Sequence, residues 1–273
     1  MSAPILKVEG VAKRFVTAGG AIHALATIDI DFRAGEFVAV IGPSGCGKST
    51  LFNIIGGLEN ADGGRVLVDG DPIRGSHKDI GMVFQEESTF PWRTVIENVA
   101  FPLEVAGLGR REREEKAQRF VRLVGLDGFE PRYPAELSGG MRQRTALART
   151  LCAEPRILLM DEPFAALDEQ TRMLLGEKLI EICQALNQTT LLITHNLSEA
   201  VQLSDRVLVM SFWPGRIKRT VEIEPPRPRR SDVIASESFA GYLGTIWEEL
   251  KTEAAKGLQA LESERRLAAP ARA

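Results

Sequence analysis

Residues 42–50 read Gly42-Pro43-Ser44-Gly45-Cys46-Gly47-Lys48-Ser49-Thr50, and no other stretch limits the fold so strongly. The first eight fit the pattern G-x-x-x-x-G-K-[ST]. The five residues before them, 37–41, form a continuous apolar run of the kind that parallel sheets bury on both faces. The sequence after them predicts a helix. Glycines in such a turn let the backbone close around phosphate oxygens with its N–H groups pointing inward. The helix start adds partial positive charge. Lys48 supplies a full charge toward the outer phosphates, and the Ser49 hydroxyl is a candidate Mg²⁺ ligand.

The rest of the chain repeats the alternation of strand and helix. Ile28, Ile30 and Phe32 alternate with polar residues, the period of a half-buried strand. Residues 65–69, 157–160 and 191–194 read as further strands, and 110–125, 139–152 and 171–186 as helices. This order predicts an α/β fold with a largely parallel sheet. Residues 86–149, mostly helical, look inserted. The charges at 110–116 alternate in sign and fit a solvated helix face. Residues 224–230, rich in Pro and Arg, read as a linker, with an amphipathic helix over about 239–266 beyond them. The Arg-Pro stretch also admits a polybasic membrane contact, which its prolines and nearby glutamates dilute.

Bulk properties narrow the function. The chain has 273 residues and a formal net charge of −3, which argues against nucleic acid held by bulk electrostatics. Cys46, Cys152 and Cys183 lie far apart with no CxxC pair, so neither zinc nor a disulfide framework is expected, and a reduced compartment is. No N-terminal stretch reads as a signal peptide. The longest apolar runs are too short to span a bilayer, so work at a membrane would need a separate spanning chain.

Two more stretches carry chemistry. Residues 156–163 end an apolar strand on Asp161 and Glu162. Neighbouring strand residues face opposite ways, so Asp161 can hold the Mg²⁺ shell while Glu162 polarises an attacking water. At residues 137–141, Ser138 reads as an N-cap, and Gly139 and Gly140 leave the first helix amides open to an anion. By itself this segment reads as an ordinary helix cap.

Taken in order and spacing, these three motifs resemble the nucleotide-binding subunit of ABC transporters over about residues 5–220, with 137–140 as the family signature. The resemblance implies a P-loop NTPase (RecA-like) core, an N-terminal antiparallel β region and an inserted α-helical subdomain at about 86–149. It implies an ATPase domain over 1–221 and a C-terminal linker and helical tail over 222–273. Gln85 then corresponds to the glutamine that links the Mg²⁺ site to the membrane partner. Residues 166–168 match a loop that crosses the dimer interface. His195 matches the histidine that contacts the γ-phosphate, and Phe15 the aromatic that stacks on adenine. Met141, Ala165 and Asn196 depart from the usual Gln, Ser and Asp, and none is a phosphate or metal ligand.

The resemblance further implies ATP hydrolysis with Mg²⁺ in a homodimer. The catalytic residues are then Lys48, Gln85, Glu162 and His195. Phe15, the loop from Gly42 to Thr50, and Ser138, Gly139 and Gly140 hold ATP, and Ser49, Gln85 and Asp161 hold the metal. In the family, each signature faces the other subunit's phosphate loop. The implied partners are transmembrane permease subunits and, indirectly, a periplasmic or lipid-anchored solute-binding protein, with no nucleic acid. The implied location is peripheral, at the cytoplasmic face of the inner membrane. Residues 90–99 and 213–217 are similar to the importer branch handling nitrate, sulfonates and taurine. Trp92 and Arg93 suit an interface with the permease. A non-transport ABC ATPase and another importer or exporter branch are the competing readings.

Overall fold

The computed structural model describes residues 3–17, 20–86, 88–229 and 231–268, with side chains to 257 apart from 17, 231 and 232. The first hairpin, β1 (Leu6–Thr17) and β2 (Gly20–Phe32), is antiparallel, with Leu6 opposite Phe32 and Phe15 opposite Ile22. The alternation at 28–32 is the buried end of β2, which continues back to Gly20 along β1. Then come β3 (Phe37–Ile41) and α1 (Lys48–Ile55). Next, β4 (Gly63–Val68) and β5 (Asp71–Pro72) complete a four-stranded sheet in the order β2-β1-β4-β5.

The second sheet is built from β3, β6 (Ile80–Val83), β7 (Ile157–Asp161), β8 (Thr189–Ile193), β9 (Arg206–Met210) and β10 (Ile217–Glu222), ordered β10-β9-β3-β8-β7-β6. All its pairs are parallel except β10 on β9. Every residue of β3, β7 and β8 is buried, which the apolar runs require of strands covered on both faces. β8 starts at Thr189, earlier than apolarity alone marks, because the buried threonines Thr189 and Thr190 pair with Ile157 and Leu158.

Three helices fill 95–152: α2 (Val95–Val105), α3 (Arg110–Leu123) and α4 (Gly139–Cys152). Val99 and Leu103 of α2 meet Ala117, Phe120 and Val121 of α3 and Leu147 and Leu151 of α4 in one apolar cluster. A capping box fixes the start of α2, with Thr94 Oγ1 accepting from the Glu97 amide at 3.4 Å and Glu97 returning the bond to the Thr94 amide at 2.9 Å. α4 also touches the sheet, where the Thr150 hydroxyl donates to the Met82 carbonyl at 3.1 Å.

The chain returns through α5 (Glu169–Ala185) and α6 (Leu197–Leu203), then α7 (Ser231–Ile234) and α8 (Glu237–Ala268). Residues 224–229 are not a free linker. Arg229 is 2% exposed and donates to the carbonyls of Val201, Gln202 and Ser204 past the end of α6, and to those of Ile223 and Pro225. Burial pushes its guanidinium down to about 10, and the α6 carbonyl ends are the natural partner for a cation. Arg227 forks onto Asp205 at 2.8 Å through both nitrogens. Both side chains are consumed inside the fold, which withholds them from a polybasic membrane contact; Arg230 lies outside the described residues. Among the described residues no helix is long and apolar enough to cross a membrane.

Candidate functional site

β3 delivers the chain to Gly42, and α1 takes it away from Lys48. The turn between them tolerates no bulk on its inner side. A Cβ on Gly47 (φ 96°) would stand 2.7 Å from Leu25 Cδ2 and 2.9 Å from the Ala24 carbonyl. One on Gly42 would stand 2.7 Å from Cys46 Sγ. Lys48 folds back along the loop, its Nζ donating to the Gly42 carbonyl at 2.8 Å and the Pro43 carbonyl at 3.0 Å. Cys46 is fully buried beneath, and that burial raises its thiol pKa, so it packs rather than reacts. The loop borders a cavity of about 250 Å³ lined by Ile22, Ala24, Gly45, Gly47, Lys48, Ser49, Thr50 and Trp213.

The end of β7 brings Asp161 to this loop. Asp161 is 7% exposed, and burial lifts its carboxyl above the ordinary value. The Ser49 hydroxyl, hydrogen-bonded to it, works in the opposite direction, Glu162 adds to the rise, and Lys48 offsets it. Glu162 follows β7, with φ at 48° and its amide donating to the Ile193 carbonyl at 2.9 Å. A non-glycine residue there is strained, and such strain persists where its surroundings enforce it. Gln85 Nε2 donates to Glu162 Oε2 at 3.3 Å, and His195 Nδ1 lies 3.1 Å from Glu162 Oε1. One carboxylate is thereby oriented from two sides by residues 77 and 33 positions away in sequence.

The donor set at Ser49, Asp161 and Gln85 suits Mg²⁺. All three offer hard oxygens, one of them a buried carboxylate, and Mg²⁺ takes few protein ligands alongside water and phosphates. With its amide nitrogen committed to Glu162, Gln85 has its carbonyl oxygen to present to a cation.

His195 is carried by a turn with its own support. The Thr194 hydroxyl donates to Glu199, the Asn196 amide donates to Thr194 Oγ1 at 3.0 Å, and Asn196 Oδ1 caps α6 by accepting from the Glu199 amide at 3.1 Å. Asn caps as Asp does, so this departure from the family pattern costs the turn nothing.

Ser138 is the N-cap of α4, accepting from the Met141 amide at 3.3 Å. It is exposed and does not line the phosphate-loop cavity. Gly139 lines a cavity of about 300 Å³ with Gln85, Gln143, Ala165 and Ala166. A Cβ on Gly140 would stand 2.8 Å from Leu167 Cδ2, so the α4 start and residues 166–168 are packed together. The motifs therefore group into two sets. Lys48, Ser49, Asp161, Glu162, Gln85 and His195 converge; Gly139 meets Gln85 across the second cavity, and none of Ser138, Gly139 and Gly140 lines the cavity at the phosphate loop. Phe15, 38% exposed, sits opposite Ile22 at the rim of the first cavity, with Lys13 Nζ 5.2 Å from its ring centroid. Trp92 is 71% exposed rather than buried, beside Phe90 at 5.6 Å.

Two residues reach the site by contacts that the motifs do not give. Gln143 is 6% exposed and joins α4 to the site, donating to the Glu162 carbonyl at 2.9 Å and accepting from the Ala166 amide at 3.1 Å. A Gln on an otherwise apolar helix face is the available signal. Trp213 reaches the phosphate-loop cavity from the β9–β10 turn, a contact that nothing in its local sequence marks.

A family model described as ABC transporter matches residues 25–165. An uncharacterised ABC transporter ATP-binding protein of Methanocaldococcus jannaschii is 48% identical over 93% of this chain and 94% of its own length. An aliphatic sulfonates import ATP-binding protein of Bacillus cereus is 44% identical over 86% of this chain and 91% of its own. For the nitrate import ATP-binding protein of Synechocystis sp. the figures are 42%, 94% and 99%. A solved dimeric structure of a bacterial ABC transporter cassette matches with a TM-score of 0.74 and 31% identity, covering 81% of this chain and 100% of that one. The post-hydrolysis cassette bound to ADP and Pi gives the same figures.

Proposed function

This chain belongs to the ABC transporter family as an ATP-binding, ATP-hydrolysing subunit, and from that premise we propose that it powers solute import through a separate permease, in the nitrate/sulfonate/taurine branch. The observation that carries the chemistry is Glu162, oriented by Gln85 and His195 beside the phosphate loop. The loop amides and Lys48 hold the triphosphate, and Phe15 stacks on the adenine. Water attacks the γ-phosphorus as the bond to the β–γ bridging oxygen breaks. Glu162 polarises that water, and His195 contacts the γ-phosphate. Ser49, Asp161 and Gln85 would hold Mg²⁺, which would supply positive charge against the phosphate oxygens.

Ser138, Gly139 and Gly140 are an anion-ready helix start with no phosphate loop beside it in the same chain. We assign them to the second subunit's ATP, so that two chains enclose two nucleotides. The γ-phosphate bridges the dimer, and hydrolysis releases it. Residues 1–221 form the ATPase domain, with the helical subdomain of about 86–149 inserted, and 222–273 form the tail. The subunit works peripherally at the cytoplasmic face of the inner membrane, with permease subunits and, indirectly, a solute-binding protein as partners.

The exposed Trp92, on a loop next to Gln85, supports a permease contact there. Crosslinking from residues 90–95 to the permease during turnover tests it; no crosslink under turnover sinks it. Growth of a deletion strain on alternative sulfur and nitrogen sources tests the branch. Unimpaired growth on nitrate and on sulfonates alike contradicts it.

A further inference from the structure

The cavity beside the phosphate loop is part polar and part apolar. Lys48, Ser49 and the loop glycines supply the polar part of its lining, and Ile22, Ala24 and Trp213 the apolar part. Trp213 is 47% exposed, so about half of its ring surface is open to a ligand in the cavity. The turn that carries it is rigid. Ser211 closes it, its amide donating to the Arg216 carbonyl at 2.9 Å and its hydroxyl accepting from the Arg216 amide at 3.1 Å. Gly215 locks it to the site, exchanging backbone bonds with Ala24 and Ala26 at 3.0 Å. A Cβ on Gly215 would stand 2.1 Å from the Cys46 carbonyl, so the turn is pressed against the phosphate loop itself.

The other flank of this turn rests on α8. Glu253, 1% exposed, accepts from the Phe212 amide at 2.8 Å and pairs with Lys218 at 3.1 Å and Lys256 at 2.8 Å. The Phe212 ring lies over Gly257, where a Cβ would stand 3.0 Å from it. Phe212, the neighbour of Trp213, is thus fixed from the tail helix.

We propose that Trp213 is a specificity-determining residue that gives the nucleotide base an aromatic wall besides Phe15, and that Glu253 of the tail helix is the positioning residue that holds it there. The proposal rests on the reading of residues 42–50 as the nucleotide site. An apolar aromatic surface has nothing to offer phosphate and suits the π-face of a base. The tail helix thereby orders one wall of a site far from it in sequence.

The test compares ATP with inorganic tripolyphosphate, which carries the phosphate chain without a base, as a competitive inhibitor of hydrolysis. Trp213→Ala is expected to raise KM for ATP about tenfold, the loss falling on KM more than on kcat, while tripolyphosphate inhibits as in wild type. Trp213→Phe should restore most of the affinity. Glu253→Gln should raise KM for ATP with Trp213 present and add little in the Trp213→Ala background. An unchanged KM in Trp213→Ala, or equal weakening of ATP and tripolyphosphate, overturns the base contact. Additive effects of the two substitutions overturn the positioning role. A wild-type chain that neither hydrolyses ATP nor responds to tripolyphosphate overturns the nucleotide reading as well.

Discussion

The phosphate loop and the start of α4 are both glycine-bearing entries to helices, yet they are finished to different degrees. Around Gly42 and Gly47 the space is filled by Leu25, Ala24, Cys46 and Met210, and Lys48 closes the loop on its own carbonyls. At α4, Gly140 packs on Leu167 and Ala166, but the cap residue Ser138 is exposed and does not line the phosphate-loop cavity. On the proposed function, the α4 start serves the nucleotide of the second subunit and is half of a shared site. The contrast explains why one motif constrains the fold while the other constrains the assembly.

The largest effect should come from the finished half. Lys48→Ala removes the cation opposite the developing charge and is expected to lower kcat on the order of a thousandfold, measured by phosphate release. Near-normal turnover would refute the role of Lys48. Glu162→Gln keeps the hydrogen-bonding shape beside Gln85 and His195 but loses the charge, so hydrolysis should fall about a hundredfold or more with ATP still bound. Equal loss of ATP binding would contradict that division.

Ser138→Ala sharpens the other half. It deletes a cap, about 1 kcal/mol of stability, which thermal unfolding of the nucleotide-free chain reads. Hydrolysis should fall by more than this loss of stability explains, roughly tenfold, because the hydroxyl also serves the partner's nucleotide. Turnover unchanged at saturating ATP would leave Ser138 a cap and nothing more.

The smallest effect concerns Asp161. Its folded pKa is raised by burial, so the ionised form opposes folding. The penalty is absent below the unfolded carboxylate value and grows as pH rises through the folded one. Asp161→Asn should therefore raise Tm of the nucleotide-free chain at pH 7, by a margin that shrinks toward pH 4. A gain independent of pH would contradict this cause.

Legibility in the sequence follows how local each signal is. The phosphate loop, the strand ending at Asp161 and Glu162, and the Ser138 cap each declare themselves within eight residues. His195 beside Glu162 does not, because two strand ends meet only in the folded sheet; only the family resemblance leads one to expect it. Residues 224–230 mislead for the opposite reason. Their composition describes a solvated segment, and nothing local says that the carbonyl end of α6 would recruit Arg229. Trp213 reads in sequence only as part of a branch motif, since its neighbours at the site, Ile22 and Ala24, lie near the other end of the chain.

The shared site is the central claim, and the mass of the Glu162→Gln chain in solution, with and without ATP and Mg²⁺, tests it most directly. A shift from one chain mass without ATP to two chain masses with ATP, reversed on removing the nucleotide, is the expected result. A chain that binds ATP and stays at one chain mass would contradict it.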